Sequence, residues 1–212
     1  MIPAEKALPR LYMVSDGQEH FGRKQYLPEL VRRVTSYIPV IVQLREKHLT
    51  AKALYELSLK INGHIHDKRS LLIINERFDI ALATGADGVH IPESGCPLDR
   101  VIAGFQGLVT GKSTHSLQAA LSAEASGADY LIFGPIFETP EKIPYGPPMG
   151  LNKLAEVCAN TSIPVYAIGG ISPEKTRQCI ENGAYGVAAM SIFHASDSLN
   201  NTLERFQKAL GQ

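Results

Sequence analysis

The chain has 212 residues, of which 44% are apolar, enough for a sizeable core and too many for a disordered chain. Lys plus Arg number 21 and Asp plus Glu number 21, so no global field draws the protein to nucleic acid or to an anionic membrane. Three cysteines without a C-x-x-C spacing argue against a disulfide framework or a zinc site and predict reduced thiols in a cytoplasmic protein. Residues 1–13 hold no apolar core of a signal peptide, and the apolar run 38–42 is far too short to cross a bilayer.

In chain order, short apolar and β-branched runs fall at 11–15, 40–45, 70–75, 88–91, 108–113, 130–136, 164–170 and 186–191. Several, such as Val40-Ile41-Val42 and Leu71-Leu72-Ile73-Ile74, are continuous rather than alternating, as in parallel strands covered on both faces. The segments between them have helical spacing. Leu117, Ala120 and Leu121 follow Ser116 as N-cap, and Leu151, Leu154, Val157 and Cys158 form a second apolar face. Ser172-Pro173-Glu174 reads as N-cap, Pro at the first helical position and an acidic first turn. Leu199, Leu203, Phe206 and Leu210 make a last amphipathic helix.

Three joints from helix to strand look alike: Gly85-Ala86-Asp87-Gly88, Gly127-Ala128-Asp129-Tyr130 and Gly183-Ala184-Tyr185-Gly186. Each puts Gly where a helix ends in the left-handed conformation. Eight strands alternating with helices in this length predict a single (β/α)8 TIM barrel spanning 1–212 as one domain. A doubly wound sheet is the rival, but no Gly-rich nucleotide loop follows the first strand.

The site of such a barrel lies at the C-terminal ends of its strands. Those ends carry Gln43, Arg45, Glu46 and Lys47; Asn75, Glu76 and Arg77; His90 and Glu93; Ser113, Thr114 and His115; and Thr139 to Lys142. Gly169-Gly170 and Met190-Ser191-Ile192 close the circuit. Cations with small and hydroxyl residues are the groups that hold phosphates. Gly169-Gly170, just before a helix start, lets backbone N–H groups approach an anion, and Ser191 completes the cup. Arg45 and Lys47, on one face of the second strand, suit a diphosphate. His64-Ile65-His66 reads as the end of a polar helix, and His115 as a structural histidine. No H-E-x-x-H zinc site and no G-x-S-x-G nucleophile is present.

Taken together, Gln43-Leu44-Arg45-Glu46-Lys47, Leu72-Ile73-Ile74-Asn75, Gly88-Val89-His90, Ser113-Thr114-His115-Ser116, Phe133-Gly134-Pro135-Ile136-Phe137 and Ala167-Ile168-Gly169-Gly170-Ile171 resemble the thiamine phosphate synthase family. That family includes the TenI-type thiazole tautomerases. The resemblance implies an enzyme condensing hydroxymethylpyrimidine diphosphate with thiazole phosphate. Diphosphate leaves first, and the thiazole nitrogen captures a pyrimidine-methyl cation. It implies Mg²⁺ as cofactor, with Glu76 as metal ligand, and Lys142, Ser113 and Arg45 as catalytic groups. Gln43 would touch the pyrimidine, Arg45, Lys47 and Asn75 would hold the diphosphate with Ser113 binding near the reacting centre, and Lys142 would bridge the phosphate groups. Thr139, Gly170 and Ser191 would bind the thiazole phosphate, with Gly169, Met190 and Ile192 as further substrate-binding residues. No nucleic acid or membrane partner is implied, and a homodimer is the base-rate expectation.

The departures from the family pattern are specific. Glu76 stands where the synthases have a metal-binding Asp, and Gly95 stands where they have a second one. Glu141 sits inside the phosphate-binding loop, and Pro135 occupies the position of the tautomerase histidine. A tautomerase or a non-catalytic thiazole-phosphate binder is therefore the alternative reading. A working synthase is expected to set Glu93 or another carboxylate beside Glu76.

Overall fold

In the computed structural model the chain is described over residues 8–17, 26–104, 107–138, 147–195 and 198–211. Eight parallel strands close on themselves in sequence order: β1 Leu11–Val14, β2 Val40–Leu44, β3 Leu71–Asn75, β4 Gly88–Ile91, β5 Val109–Thr114, β6 Tyr130–Phe133, β7 Val165–Ile168 and β8 Gly186–Ala189. The ring is sealed by Leu11 pairing with Val187 on one side and Val40 on the other. Around it lie α1 Tyr26–Thr35, α2 Ala51–Asn62, α3 Phe78–Thr84, α4 Leu98–Gly104, α5 Leu117–Ala125, α6 Gly150–Asn160, α7 Pro173–Glu181, α8 Ser191–Ala195 and α9 Leu199–Leu210. The expected TIM barrel is the fold. No helix among the described residues is long and apolar enough to cross a membrane.

Strand alternation sorts side chains into two cores. Val40, Val42, Leu44, Leu72 and Ile74 point outward and pack with the helices, including Leu154, Val157, Leu203 and Phe206. Tyr12, Ile41, Ile73, Val109, Tyr130, Ile132 and Tyr166 point inward and fill the barrel. Three buried tyrosines pack edge to face there, with Tyr166 centred 5.5 Å from Tyr12 and 5.7 Å from Tyr130. Gly111 makes this possible, because a Cβ there would lie 2.0 Å from Cζ of Tyr130. The same alternation aims Gln43, Asn75, His90 and Ser113 into the mouth of the barrel.

The repeated joints behave as the spacing predicts. Gly85, Gly127 and Gly183 have φ of 64°, 91° and 91°, and each precedes a strand. Asp87 and Asp129 add a function the pattern did not announce: each carboxylate accepts from a backbone N–H of the preceding strand, Leu72 and Thr110, at 2.9 and 2.8 Å. Ser116 caps α5 by accepting from the Ala119 N–H at 3.1 Å. Ser172 stands at the N-cap of α7 with Pro173 behind it, but its hydroxyl makes no capping bond.

Five strands end earlier than their apolar runs, β1 by a single residue at Val14. β2 stops at Leu44, so Arg45 lies beyond it and Lys47 sits in a turn rather than on a strand face. β6 stops at Phe133, where Gly134-Pro135 leaves the sheet, since Pro cannot donate to the ladder. β7 stops at Ile168 because Gly169 and Gly170 take φ of 97° and 64°. β8 stops at Ala189, so Ser191 opens the short helix α8 rather than ending a strand.

Candidate active site

The floor of the barrel mouth is a chain of buried or half-buried polar side chains, each from a different strand. Asn75 donates to the Glu76 carboxylate at 3.0 Å, and Gln43 donates to the Asn75 carbonyl oxygen at 2.8 Å. Tyr12 donates to the Gln43 carbonyl oxygen at 3.1 Å, and its hydroxyl lies 2.9 Å from that of Tyr130. His90 places Nδ1 3.3 Å from the Tyr130 hydroxyl and Nε2 2.8 Å from Ser113 Oγ. Gln43, Asn75 and Ser113, expected as ligand-binding residues, are thus joined in one network. Tyr12 and Tyr130 were not expected there, and His90 was noted only as a residue at a strand end.

Burial, then the charges of Lys112 and Arg45, push the His90 imidazole down to about 3. At neutral pH it is therefore an uncharged ring. Burial also raises the Tyr12 and Tyr130 hydroxyls well above the usual phenol range, so both keep their protons. The floor is polar but carries no charge until it reaches Glu76.

Arg45 is half-buried, one residue past the strand, and its backbone N–H is tied to Ser15 Oγ at 2.8 Å. Lys47, Asn75 and Glu76 meet in a cleft of about 390 Å³, together with Glu46 and Arg77. Glu46, 4% exposed, accepts from the Gly17 N–H at 3.1 Å and secures the loop after β1. Arg77 is occupied by Asp79 at 2.6 and 2.8 Å. Lys47 makes no side-chain hydrogen bond or ion pair among the described residues, so all its N–H donors face the cleft or solvent.

Across the mouth, Gly169 and Gly170 meet the loop after β6. Phe137 donates its N–H to the Gly169 carbonyl at 3.0 Å, and a Cβ on Gly170 would lie 2.8 Å from the Glu138 carbonyl oxygen. The two glycines are required by this packing as well as by their left-handed backbone. Lys175, in the first turn of α7, sits 4.8 Å above the Phe137 ring and clamps the same loop. Met190 and Ile192 are half-buried and Ser191 is exposed beside this turn in sequence order of the rim. Thr139 and Lys142 lie outside the described residues, as does Glu141.

The histidines divide as expected. His64 Nδ1 meets the Lys60 carbonyl at 2.6 Å at the end of α2. His115 contacts the Gly134 carbonyl through Nδ1 and Glu93 at 3.7 Å through Nε2. Glu93 is thereby engaged by His115 rather than shown beside Glu76. No group of three or more His, Cys, Asp or Glu side chains among the described residues could hold a metal ion by itself.

A parallel barrel with a polar floor and a cationic, glycine-bearing rim at the strand C-termini is the architecture of a phosphate-handling TIM-barrel enzyme. Residues 11–193 match the family described as thiamine monophosphate synthase. The chain is 43% identical over 186 residues to a protein of Aquifex aeolicus provisionally named thiamine-phosphate synthase 2, covering 88% of this chain and 98% of that one. It is 38% identical over 184 residues to a thiamine-phosphate synthase of Methanoculleus marisnigri, covering 85% of each. Among solved structures, a thiamine phosphate pyrophosphorylase from Pyrococcus furiosus superimposes with a TM-score of 0.83 at 27% identity over 95% of each chain. The chain belongs to the thiamine monophosphate synthase family.

Proposed function

We propose that the protein condenses hydroxymethylpyrimidine diphosphate with thiazole phosphate to thiamine phosphate and releases diphosphate. The observation that carries this reading is the joining of Gln43, Asn75 and Ser113 in one hydrogen-bonded floor at the strand ends, with Arg45 directly after β2. Such a floor offers donors and acceptors to a heterocycle while the rim offers charge to its diphosphate. Gln43 keeps one N–H and one lone pair beyond those it uses in the floor, a pair suited to the edge of an aminopyrimidine. Arg45 and Lys47 stabilise the negative charge that grows on the departing diphosphate, with Asn75 beside them. Lys142 and Thr139 are assigned to the phosphates by resemblance alone. Gly169, Gly170, Met190, Ser191 and Ile192 are assigned to the thiazole phosphate.

Mg²⁺ binds through one or two carboxylates plus substrate phosphates rather than through an all-protein cage. Glu76 fits that mode: it is exposed at the cleft, and Asn75 occupies only its Oε2. Glu76 would hold the ion, which when bound neutralises diphosphate charge. The reaction is assigned to the cytoplasm, where the exposed thiol of Cys96 stays reduced. A thiazole-phosphate binder without synthase activity is the second reading, favoured by the pairing of Glu93 with His115. A tautomerase is disfavoured because Pro135 carries no group that transfers a proton.

The test is incubation with both substrates and Mg²⁺, with thiamine phosphate and diphosphate measured together. Equal amounts of the two are expected, abolished by EDTA. Thiazole phosphate binding that survives EDTA, with no product from folded protein, would replace the first reading by the second.

A further inference from the structure

The hydrogen bonds of the floor leave no freedom in where their protons lie. A carboxylate only accepts, so Asn75 must turn its NH₂ to Glu76 and its carbonyl oxygen to Gln43. Gln43 must then turn its nitrogen to Asn75 and its oxygen to Tyr12, which makes Tyr12 a donor. With its own proton spent, Tyr12 accepts from Tyr130. Tyr130, likewise spent, accepts from His90, so His90 carries its proton on Nδ1. Nε2 is left as a lone pair, and Ser113 donates to it.

We infer that Glu76 orders the protons of this seven-residue chain, so that Ser113 turns its hydrogen away to His90 and offers only lone pairs to the pocket. The inference rests on the synthase reading for what the lone pairs face, namely the pyrimidine-methyl cation formed as diphosphate leaves. All six bonds point the same way, with their positive ends toward the Glu76 carboxylate and their negative end at Ser113. Bonds aligned in this way polarise one another. A hydroxyl free to rotate would present its hydrogen to a cation part of the time; this one does not. Tyr130 and His90 are therefore positioning residues that act on the reaction through Ser113, and Tyr12 is one that holds Gln43.

The order is a property of this chain's own residues. Glu76 has a left-handed backbone, φ 62°, unusual for a residue other than Gly. In that conformation its carboxylate, one methylene longer than that of Asp, bonds its neighbour Asn75.

The experiment uses the full chain with ¹⁵N-labelled histidine at neutral pH, without ligands. The His90 ring is expected as the single tautomer protonated at Nδ1. In Tyr130→Phe the Nδ1 proton loses its acceptor, and in Glu76→Gln the anchor can donate as well as accept. Both variants are expected to show His90 as a mixture of tautomers. A wild-type ring protonated at Nε2, or variants that keep the single Nδ1 tautomer, would overturn the inference. Kinetics supply the second arm. Tyr130→Phe is expected to lower kcat by about tenfold or more with KM for the pyrimidine diphosphate little changed. Ser113→Ala combined with Tyr130→Phe should be no slower than Ser113→Ala alone, because both act through one oxygen. Multiplying losses would mean that Tyr130 serves only the packing. An inactive wild type would remove the synthase reading, and the tautomer measurement would still decide the proton order.

Discussion

On the floor of the barrel mouth, Gln43, Asn75, His90 and Tyr12 are buried and every link of their chain is made by another part of the protein. On the rim, Arg45, Lys47 and Ser191 are half-buried or exposed and make no side-chain hydrogen bond or ion pair among the described residues. The floor was dried by folding, and polar groups in such a place cost free energy unless they are paired. The rim stays in water, where an unpaired cation is tolerated until an anionic ligand arrives. The difference separates two jobs. Under the proposed function, the floor would orient the bound ring and the rim would supply charge to the departing diphosphate.

The contrast sets different responses to perturbation, and the largest concerns pH. His90 folds with its imidazole held at about 3, whereas an unfolded histidine titrates near about 6.5. Between those values the unfolded chain binds a proton that the folded protein refuses. Stability therefore falls as pH drops through this window, at up to about 1.4 kcal/mol per pH unit from this residue. Urea denaturation of wild type and His90→Gln at pH 7 and 4.5 checks it. The wild type should lose more stability than the variant between the two; equal losses would put His90 outside the dry floor.

A volume change on the floor comes next. Gly111→Ala inserts a methyl 2.0 Å from the Tyr130 ring, and neither the ring nor the strand can move without breaking the tyrosine packing. Overpacking of this kind costs about 1–3 kcal/mol, or more. For a chain of this size that lowers the melting temperature by several degrees, readable by calorimetry. An unchanged melting temperature would show that the inner core is looser than its contacts imply.

Eight strands and their order were legible because apolar β-branched runs and glycine joints are local signals. The apolar runs overstated five strands at their C-terminal ends, β1 and β2 by one residue and the other three because the run continues into Gly134-Pro135, Gly169-Gly170 and Met190-Ser191, where backbone geometry leaves the sheet. Gln43, Asn75 and Ser113 were found through their motifs. Tyr12 and Tyr130 were missed, because nothing local relates residues 118 positions apart. A signal did exist: Tyr12, His90 and Tyr130 are polar groups set among apolar strand residues, and the inward parity of their strands aims all three at one axis. Glu76 was read as a metal ligand, and its bond to Asn75 depends on a left-handed backbone that its residue type does not announce.

On the rim, Arg45→Ala removes charge-assisted hydrogen bonds of about 1.5–3 kcal/mol each. Diphosphate affinity, measured by calorimetry, should fall about tenfold or more, while thermal stability and thiazole-phosphate affinity hold. A large loss of stability would make Arg45 part of the fold. Ser191→Ala should give the smallest effect, a loss of about 0.5–1.5 kcal/mol in thiazole-phosphate binding with diphosphate affinity unchanged. Gly170→Val is a poor probe of the same subsite, because the new side chain would meet the Phe137–Glu138 backbone and strain a left-handed residue.

The division of labour itself is tested most directly by a crystal structure with a non-reacting pyrimidine diphosphate analogue bound. The ring is expected against Gln43 and Ser113 at the floor, its exocyclic amine donating to the Gln43 or Ser113 oxygen, and the diphosphate on Arg45, Lys47 and Asn75. A ring held at the rim with the floor untouched, or a diphosphate seated on the Gly169-Gly170 turn, would contradict it.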